Sequence, residues 1–170
     1  MNKIQQLMKE RQPSISITKR TYNGELMYPS GIQFFVINLK RCVEKRKKME
    51  KKLKKAGITA HFLKAYDGKT LNKKNLEEVY SGKCLKEWKD PHSGRNITWG
   101  EVGCALSHYE IYEYCIKNNV WQAVIFEDDA DIPENFLDLL YNTLCALREK
   151  CHLCYLGRKP MNPNDDKPTG

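Results

Sequence analysis

The first clear pattern along the chain is an apolar run followed by an amphipathic stretch. Gln33 to Leu39 is rich in aromatic and β-branched residues and predicts a buried strand. Val43 to Ala56 is densely charged and predicts a helix, which Gly57 is placed to end before Ile58 to Ala65 resumes as a strand. The apolar positions of this helix recur at spacings of four and three: Met49, Leu53 and Ala56. Strand, helix and strand in this order predict a βαβ unit with a parallel pair of strands.

The middle of the chain combines a polar stretch with a second amphipathic helix. Asn72 to Tyr80 fits a short helix, and Ser81 to Asn96, with its glycines and proline, predicts an irregular loop. Thr98 followed three residues later by Glu101 is a capping-box pattern, so a longer helix is expected to begin there. Its predicted inward-facing residues are Val102, Leu106, Tyr109 and Ile116.

The last third of the chain repeats the alternation of strand and helix. Trp121 to Phe126 predicts a strand, Pro133 suits the first turn of a helix running to about Lys150, and Cys151 to Leu156 predicts a further strand. The apolar positions of that helix are Phe136, Leu139, Leu140, Leu144 and Leu147. The alternation predicts an α/β fold, a mainly parallel sheet with flanking helices over residues 31–170, after a loosely ordered leader or linker over residues 1–30. Ligands of such sheets bind at the carboxyl ends of the strands.

Composition indicates a globular chain and excludes several classes of protein. Of the 170 residues, 41% are hydrophobic and 29% are charged, a balance that excludes a disordered protein. No apolar run reaches the ~18–20 residues that cross a bilayer, and the first residues lack the apolar stretch of a secretory signal peptide. We therefore expect no membrane span and a cytoplasmic location. The seven cysteines, an odd number, are expected to be reduced thiols, several of them at core positions.

The net charge of +8 is unevenly distributed and first suggests a nucleic-acid-binding protein. Residues 1–39 carry a net charge of +3, residues 40–89 of +11 and residues 90–170 of −6. A nucleic-acid surface would interleave base-stacking aromatics with its basic residues, and residues 40–55 contain none. Most of this basic run is predicted to be the solvated face of a helix, whereas Arg41 and Arg46 offer planar guanidinium groups suited to phosphate.

Three consecutive carboxylates, Glu127-Asp128-Asp129, follow the strand that ends at Phe126. Alternate side chains at the end of a strand point the same way, so Glu127 and Asp129 are expected to converge on a divalent cation while Asp128 points elsewhere. Oxygen ligands of this kind suit Mg²⁺ or Mn²⁺, which often complete their shell with substrate phosphates. The alternative is a solvated turn before a helix whose N-terminus favours acidic side chains.

Two further groups of residues carry weaker signals. A neutral His108 in the middle of a helix can hydrogen-bond a sugar hydroxyl or relay a proton, although a lone helix histidine is more often structural. Ser107 does not face it on a helix, which disfavours a Ser–His nucleophile pair. Cys151 and Cys154 form a Cys-x-x-Cys unit, but without a second ligand pair a core strand is favoured over a metal or redox site.

Five segments, taken together, resemble glycosyltransferase family 25. This family includes bacterial lipooligosaccharide galactosyltransferases and the procollagen (hydroxylysine) galactosyltransferases of animals. The segments occur in the family's order and spacing, and DPHSGR and LGRKPM are closer to the collagen-type branch. The five are FVINLKRCVEKRKKM (Phe35–Met49), FLKAYDGK (Phe62–Lys69), DPHSGRNITWGEVGCALSHYEIYEYC (Asp90–Cys115), VIFEDDADI (Val124–Ile132) and CYLGRKPM (Cys154–Met161).

The resemblance implies a GT-A-type, Rossmann-like transferase with a UDP-galactose or UDP-glucose donor, a Mn²⁺-type metal, and a protein or glycan acceptor. It makes Glu127 and Asp129 the equivalent of the family's acid-any-acid metal motif, with His108 and Asp128 as candidate catalytic residues beside it. Gly100 and Gly103 fall in the same segment as His108. The residues expected to contact the donor, including the phosphate candidates, are Asn38, Leu39, Arg41, Arg46, Asp67, Gly68 and Ser107.

Such a transfer expels a diphosphate, whose developing charge a metal stabilises as a Lewis acid. Inversion at the anomeric carbon also needs a base for the acceptor hydroxyl, and this base is left unassigned. The resemblance covers the donor-side half of the family's domain, and the chain ends nine residues after Met161. We therefore expect little or no transferase activity from this chain alone. The alternative is a non-catalytic module that binds a nucleotide sugar or a partner.

Overall fold

The computed structural model describes residues 20–22, 25–27, 31–72, 89–91, 93–147 and 151–157, the first two ranges by their backbone. These residues divide into two compact units, one spanning residues 30–135 and the other taking in the described residues on either side. The predicted helix of Asn72–Tyr80, apart from Asn72 itself, and most of the loop after it lie outside the described residues. The elements are β1 (Arg20–Tyr22), β2 (Glu25–Met27), β3 (Ile32–Asn38), α1 (Val43–Lys55), β4 (His61–Lys64), α2 (Trp99–Lys117), β5 (Gln122–Glu127) and α3 (Phe136–Ala146).

A three-stranded parallel sheet is the centre of the larger unit. Its strand order is β4-β3-β5, so the first strand of the unit lies in the middle. Phe35 pairs with His61 on one side and with Ile125 on the other. The predicted α/β class is confirmed, because all three described strands of this sheet are parallel and helices connect and flank them.

The predicted βαβ unit is confirmed in β3, α1 and β4. Helix α1 buries the predicted stripe, since Met49 and Leu53 are 1% and 3% exposed and Ala56 is buried just past its end. Gly57 follows with φ of +67°, the left-handed conformation that ends many helices. Strand β4 is shorter than predicted, with four residues rather than the eight of Ile58–Ala65.

Helix α2 begins at the predicted capping box and packs on the sheet differently from the prediction. Thr98 accepts a hydrogen bond from the Glu101 backbone, and the Glu101 side chain accepts one from the Thr98 backbone. Val102 and Leu106 are buried as predicted, but Tyr109 and Ile116 are exposed, and that part of the prediction is wrong. The remaining buried positions are Gly103, Ser107 and Ile111, of which Ile111 joins the core formed by Phe35 and Ile37. The small residues Gly103 and Ser107 let the helix approach the loop after β4 closely.

The last third of the chain departs most from the predictions. Helix α3 begins at Phe136, so Pro133 precedes the helix rather than lying in its first turn. Cys151–Leu156 is not a strand, because its side chains are exposed and no described strand pairs with it. An apolar run becomes a core strand only when a neighbouring strand accepts its backbone hydrogen bonds.

Most of the predicted leader, residues 1–30, lies outside the described residues, but β1 and β2 within it pair as antiparallel strands. The described cysteines are free thiols, as predicted, although Cys104 and Cys154 are exposed rather than at core positions. Among the described helices, none is long and apolar enough to cross a bilayer.

Candidate functional site

The carboxyl ends of the three parallel strands meet at one edge of the sheet. Asn38 at the end of β3 pairs with Lys64 at the end of β4, and Ile37 pairs with Glu127 at the end of β5. The segments that follow the strands therefore start side by side. This edge is where open parallel sheets bind ligands, and it holds most of the residues predicted from the sequence.

Asn38 joins two of these segments from a buried position. Its side-chain Nδ2 donates to Asp128 Oδ2 at 2.7 Å and to the backbone oxygen of Cys42 at 3.3 Å. The loop between β3 and α1 is closed by a hydrogen bond of 2.8 Å that the Cys42 backbone N–H donates to the Leu39 backbone oxygen. The amide of Asn38 therefore fixes the position of Asp128 relative to the start of α1.

Lys45 lies between the two aspartates of the acidic triplet. Its Nζ atom is 3.1 Å from Asp128 Oδ1 and 2.9 Å from Asp129 Oδ2. Hydrogen bonds to Asp129 and Asp128 raise the pKa of Lys45, and the ammonium in turn lowers the pKa of Asp129. Lys45 is not distinguished by the sequence, because it is one of many lysines on a helix whose basic face is predicted to be solvated. Its place in the first turn of that helix, next to a strand end, was the available signal.

Arg41 and Asp67, both predicted to contact the donor, form an ion pair. The Nε atom of Arg41 lies 2.6 Å from Asp67 Oδ2, and Nη2 lies 3.5 Å from Oδ1. Asp67 also accepts a hydrogen bond of 3.0 Å from the Lys69 backbone. The guanidinium, followed by that backbone N–H, lowers the pKa of Asp67, and the carboxylate raises the pKa of Arg41. The two predicted residues thus hold the loops after β3 and β4 together.

A cavity of about 820 Å³ opens beside this ion pair. It lies at the ends of β3 and β4, and its size falls within the range of about 300–1,000 Å³ that is typical of small-molecule sites. Arg46 does not join the acidic triplet; its guanidinium carbon lies 4.2 Å from the ring centre of Phe62 and its Nε 2.9 Å from Glu50. The cavity is lined by Lys40, Arg41, Phe62, Leu63, Lys64, Ala65, Tyr66, Asp67, Thr70 and Glu110.

Ser107 lies beneath the loop that carries Tyr66 and Asp67. Its hydroxyl, fully buried, donates to the Gly103 oxygen at 2.7 Å and accepts from the Tyr66 backbone at 3.0 Å. A Cβ added at Gly103 would lie 2.5 Å from the Tyr66 oxygen, and one added at Gly68 would lie 2.5 Å from the backbone of Trp99. These contacts fix the loop against α2. The predicted donor contacts of Ser107 and Gly68 stay predictions.

Glu127 lies in a separate group with His108 and Cys104 on α2. Glu127 Oε1 is 3.7 Å from His108 Nε2 and 3.6 Å from Cys104 Sγ. The neighbouring Cys104 sulfur and the Glu127 carboxylate raise the pKa of His108 to about 9, and His108 lowers the pKa of Glu127. Sequence reasoning missed Cys104, although its spacing of four from His108 puts both on one face of a helix.

The predicted metal residues therefore divide between two groups. Asp129 shares Lys45 with Asp128, whereas Glu127 contacts a thiol and an imidazole. The expectation that Asp128 points away from Asp129 is not what the structure shows, because the chain turns directly after Glu127. The aspartate pair offers the oxygen donors that Mn²⁺ and Mg²⁺ prefer, and it already surrounds one cationic group, so this pair fits a hard divalent cation.

Most of the chain is similar to known proteins. Residues 32–166 match the family described as glycosyltransferase family 25 (LPS biosynthesis protein). The chain is 38% identical over 144 residues to the probable inactive glycosyltransferase 25 family member 3 of Rattus norvegicus, covering 81% of this chain and 25% of that protein. It is 36% identical over 136 residues to procollagen galactosyltransferase 1-A of Xenopus laevis, covering 78% and 22%. For procollagen galactosyltransferase 2 of Homo sapiens the identity is 34% over 140 residues, covering 79% and 22%. The chain thus spans about a quarter of the length of these curated relatives.

Proposed function

The chain belongs to glycosyltransferase family 25, and from this we propose that it binds a UDP-sugar, UDP-galactose or UDP-glucose, in the cavity beside Arg41 and Asp67. In this proposal the bound sugar is transferred to a protein acceptor with collagen-like hydroxylysine or to a glycan acceptor. The likeness to procollagen galactosyltransferases supports the collagen-like acceptor.

The observation that carries the proposal is the convergence of basic groups and a cavity at the ends of parallel strands. Arg41 lines the cavity with Lys40, and Lys45 comes four residues later, in the first turn of α1. A diphosphate bound there would meet cationic groups that the fold holds in place before any ligand arrives, which is how a site stabilises developing negative charge. Phe62 and Tyr66 line the same cavity and are aromatic side chains of the kind that can pack against a nucleotide base.

We place a Mn²⁺ or Mg²⁺ ion at Asp129, with Asp128 beside it. When bound, the cation would act as a Lewis acid on the departing diphosphate. Asp128 accepts hydrogen bonds from Asn38 and Lys45, so its proposed role is to position these groups rather than to act as the base. Glu127 directly precedes Asp128 in the chain, and His108 contacts it from helix α2. We propose that His108 orients the Glu127 carboxylate.

A second candidate function is binding of the nucleotide sugar without turnover. One observation favours it: relatives from rat and mouse are named as probable inactive and inactive family members. Both functions require the same cavity and the same basic groups. They differ only in whether transfer follows binding.

Calorimetric titration with UDP, with and without Mn²⁺, combined with a radiolabelled transfer assay, tests the proposal. We expect Mn²⁺-dependent UDP binding that weakens in Arg41→Ala and is retained in Lys47→Ala, whose ammonium pairs with Glu44 on the same helix. Absence of UDP binding by the folded chain would refute both candidates. Binding with transfer from UDP-galactose or UDP-glucose to a hydroxylysine peptide supports the transferase, and binding without transfer supports the module.

A further inference from the structure

Cys104, His108 and Glu127 form a compact group of three different metal-ligating side chains, called here the thiol–imidazole–carboxylate cluster. Their sulfur, nitrogen and oxygen atoms all lie within 4.8 Å of one another. We propose that this cluster is a binding site for Zn²⁺, or for a divalent transition metal with the same ligand preference, separate from the hard-cation position at Asp128 and Asp129.

The backbone holds the three ligands in place from two well-fixed elements. Cys104 and His108 are four residues apart on α2, so their side chains project from the same face of the helix. The capping box at Thr98 fixes the start of α2, and Ile111, 1% exposed, anchors it on the sheet. Glu127 is the last residue of β5. A site on a helix and a strand keeps its geometry better than a site on loops.

Two of the three distances within the cluster lie close to those expected around one tetrahedral zinc ion, and the third, between the sulfur and the nitrogen, is within 4.8 Å. With a Zn–S bond of about 2.3 Å and a Zn–O bond of about 2.1 Å, the sulfur and oxygen lie about 3.6 Å apart, and the nitrogen and oxygen about 3.4 Å apart. The structure gives 3.6 Å between Cys104 Sγ and Glu127 Oε1, and 3.7 Å between His108 Nε2 and Glu127 Oε1. A zinc ion can therefore replace the Cys104–Glu127 hydrogen bond and the His108–Glu127 contact once the side chains adjust around it.

The donor set indicates which metal would bind. Thiolate and imidazole are ligands that Zn²⁺ favours, whereas Mn²⁺ and Mg²⁺ prefer carboxylates, carbonyls and water. Both Cys104 and the Glu127 side chain are exposed, so the fourth coordination position is open to water or to another ligand. Three protein ligands and one open position are the arrangement of catalytic rather than closed structural zinc sites.

The neighbouring carboxylates do not compete for the same ion. Asp128 and Asp129 contact the Lys45 ammonium, and Asp128 also accepts from Asn38. The inference does not depend on UDP-sugar binding, since no donor ligand takes part in the cluster. Metal alone is therefore the probe, and its binding is measured without nucleotide.

Cobalt(II) and zinc titrations of the reduced 170-residue chain test the site. We expect one equivalent of Co²⁺ to produce thiolate-to-cobalt charge-transfer absorption, which an equivalent of Zn²⁺ removes. Cys104→Ser should abolish this absorption and, like Glu127→Gln, weaken Zn²⁺ binding at least about tenfold, because even residues that only support metal ligands contribute about 10–100-fold. The expected affinity order is Zn²⁺ well above Mn²⁺.

The exposed Cys151 and Cys154 supply the matched control. The double variant Cys151→Ser/Cys154→Ser should keep the absorption and the zinc affinity, since both residues lie outside the cluster. Absorption that persists in Cys104→Ser, or that disappears in the double variant, overturns the proposal, as does the absence of tight zinc binding. Far-ultraviolet circular dichroism checks that each variant is folded. If Cys104→Ser does not fold, Glu127→Gln tests the site independently.

Discussion

Asn38 Nδ2 donates a hydrogen bond of 2.7 Å to Asp128 Oδ2, and so ties the end of β3 to the turn that follows β5. Asn38 is 5% exposed, and among the described residues its amide otherwise donates to the Cys42 backbone oxygen. Removal of Asp128 would leave one amide hydrogen of a buried group without its partner. The strand ends that define the site would then lose their shared anchor.

We therefore expect Asp128→Ala to lower the free energy of unfolding by about 1–3 kcal/mol, the usual cost of an unsatisfied buried donor. Asp131→Ala is the matched control, because that side chain is 97% exposed and pairs with Lys52 at the surface. Urea denaturation measures both. Equal stability of the two variants would show that the Asn38–Asp128 hydrogen bond contributes nothing to the fold.

The two glycines at the start of α2 are predicted to respond in opposite directions to alanine. At Gly103 the added Cβ would lie 2.5 Å from the Tyr66 oxygen, so Gly103→Ala should destabilise the chain by about 1–3 kcal/mol through overpacking. At Gly100 the nearest atom would be Thr98 Oγ1 at 3.7 Å, so Gly100→Ala should be neutral or stabilising by up to about 1 kcal/mol. Thermal melts of the two variants make the comparison, and a shift of the same sign and size would contradict it.

These glycines also show what the sequence could and could not predict. The capping-box pattern predicted the start of α2 and an apolar run predicted β3, while the periodicity of apolar residues predicted α1, because burial of those residues drives the local structure. For α2 the apolar positions predicted the burial of Val102 and Leu106 correctly but not that of Gly103 and Ser107, which are buried for their small size rather than for hydrophobicity. The sequence also predicted a strand at Cys151–Leu156, since apolar composition does not reveal whether a partner strand is present.

Several residues of the site could be predicted from the sequence, but the contacts between them could not. Arg41 and the acidic triplet were identified because strand ends are where parallel sheets bind ligands, whereas Asp67 was identified through the resemblance to glycosyltransferase family 25. Their partners were not, because Lys45 is one lysine among many and Cys104 is one cysteine among seven. Only the packing of α1 and α2 around the sheet edge shows which lysine and which cysteine lie at the site.

Lys45 is predicted to compete with a divalent cation for Asp128 and Asp129. Lys45→Met removes the ammonium and leaves the two carboxylates without their counter-charge, so Mn²⁺ affinity should rise about fivefold, since exposed ion pairs contribute up to about 1 kcal/mol each. Electron paramagnetic resonance of free Mn²⁺ measures the change. Lys47→Met is the control, because Lys47 pairs with Glu44 instead. Unchanged or weaker Mn²⁺ binding in Lys45→Met alone would show that the aspartates do not hold the metal.

The capping box of α2 should make stability depend on pH through Glu101. Hydrogen bonds from the Arg95 guanidinium and from the Thr98 backbone and hydroxyl lower the pKa of Glu101 from 4.5 to about 2. Because the folded pKa lies below the unfolded one, the stabilisation is complete above about pH 4.5 and is lost as the pH falls towards 2. Thr98→Ala, which removes the cap, should cost about 1 kcal/mol at neutral pH.

Glu101→Gln isolates the charge of this carboxylate, since glutamine can still accept the capping hydrogen bond from the Thr98 backbone. We expect the melting temperature of this variant to lie below that of the unmodified chain at pH 6 and to approach it as the pH is lowered from 4.5 to about 2.5, where Glu101 begins to protonate in the folded chain. Glu134→Gln, at an exposed pair with Lys55, is the control. The difference in melting temperature between Glu101→Gln and the unmodified chain varies with pH only if the carboxylate pKa is shifted on folding. A difference that stays constant with pH would therefore mean that the Arg95–Glu101 ion pair does not stabilise the helix.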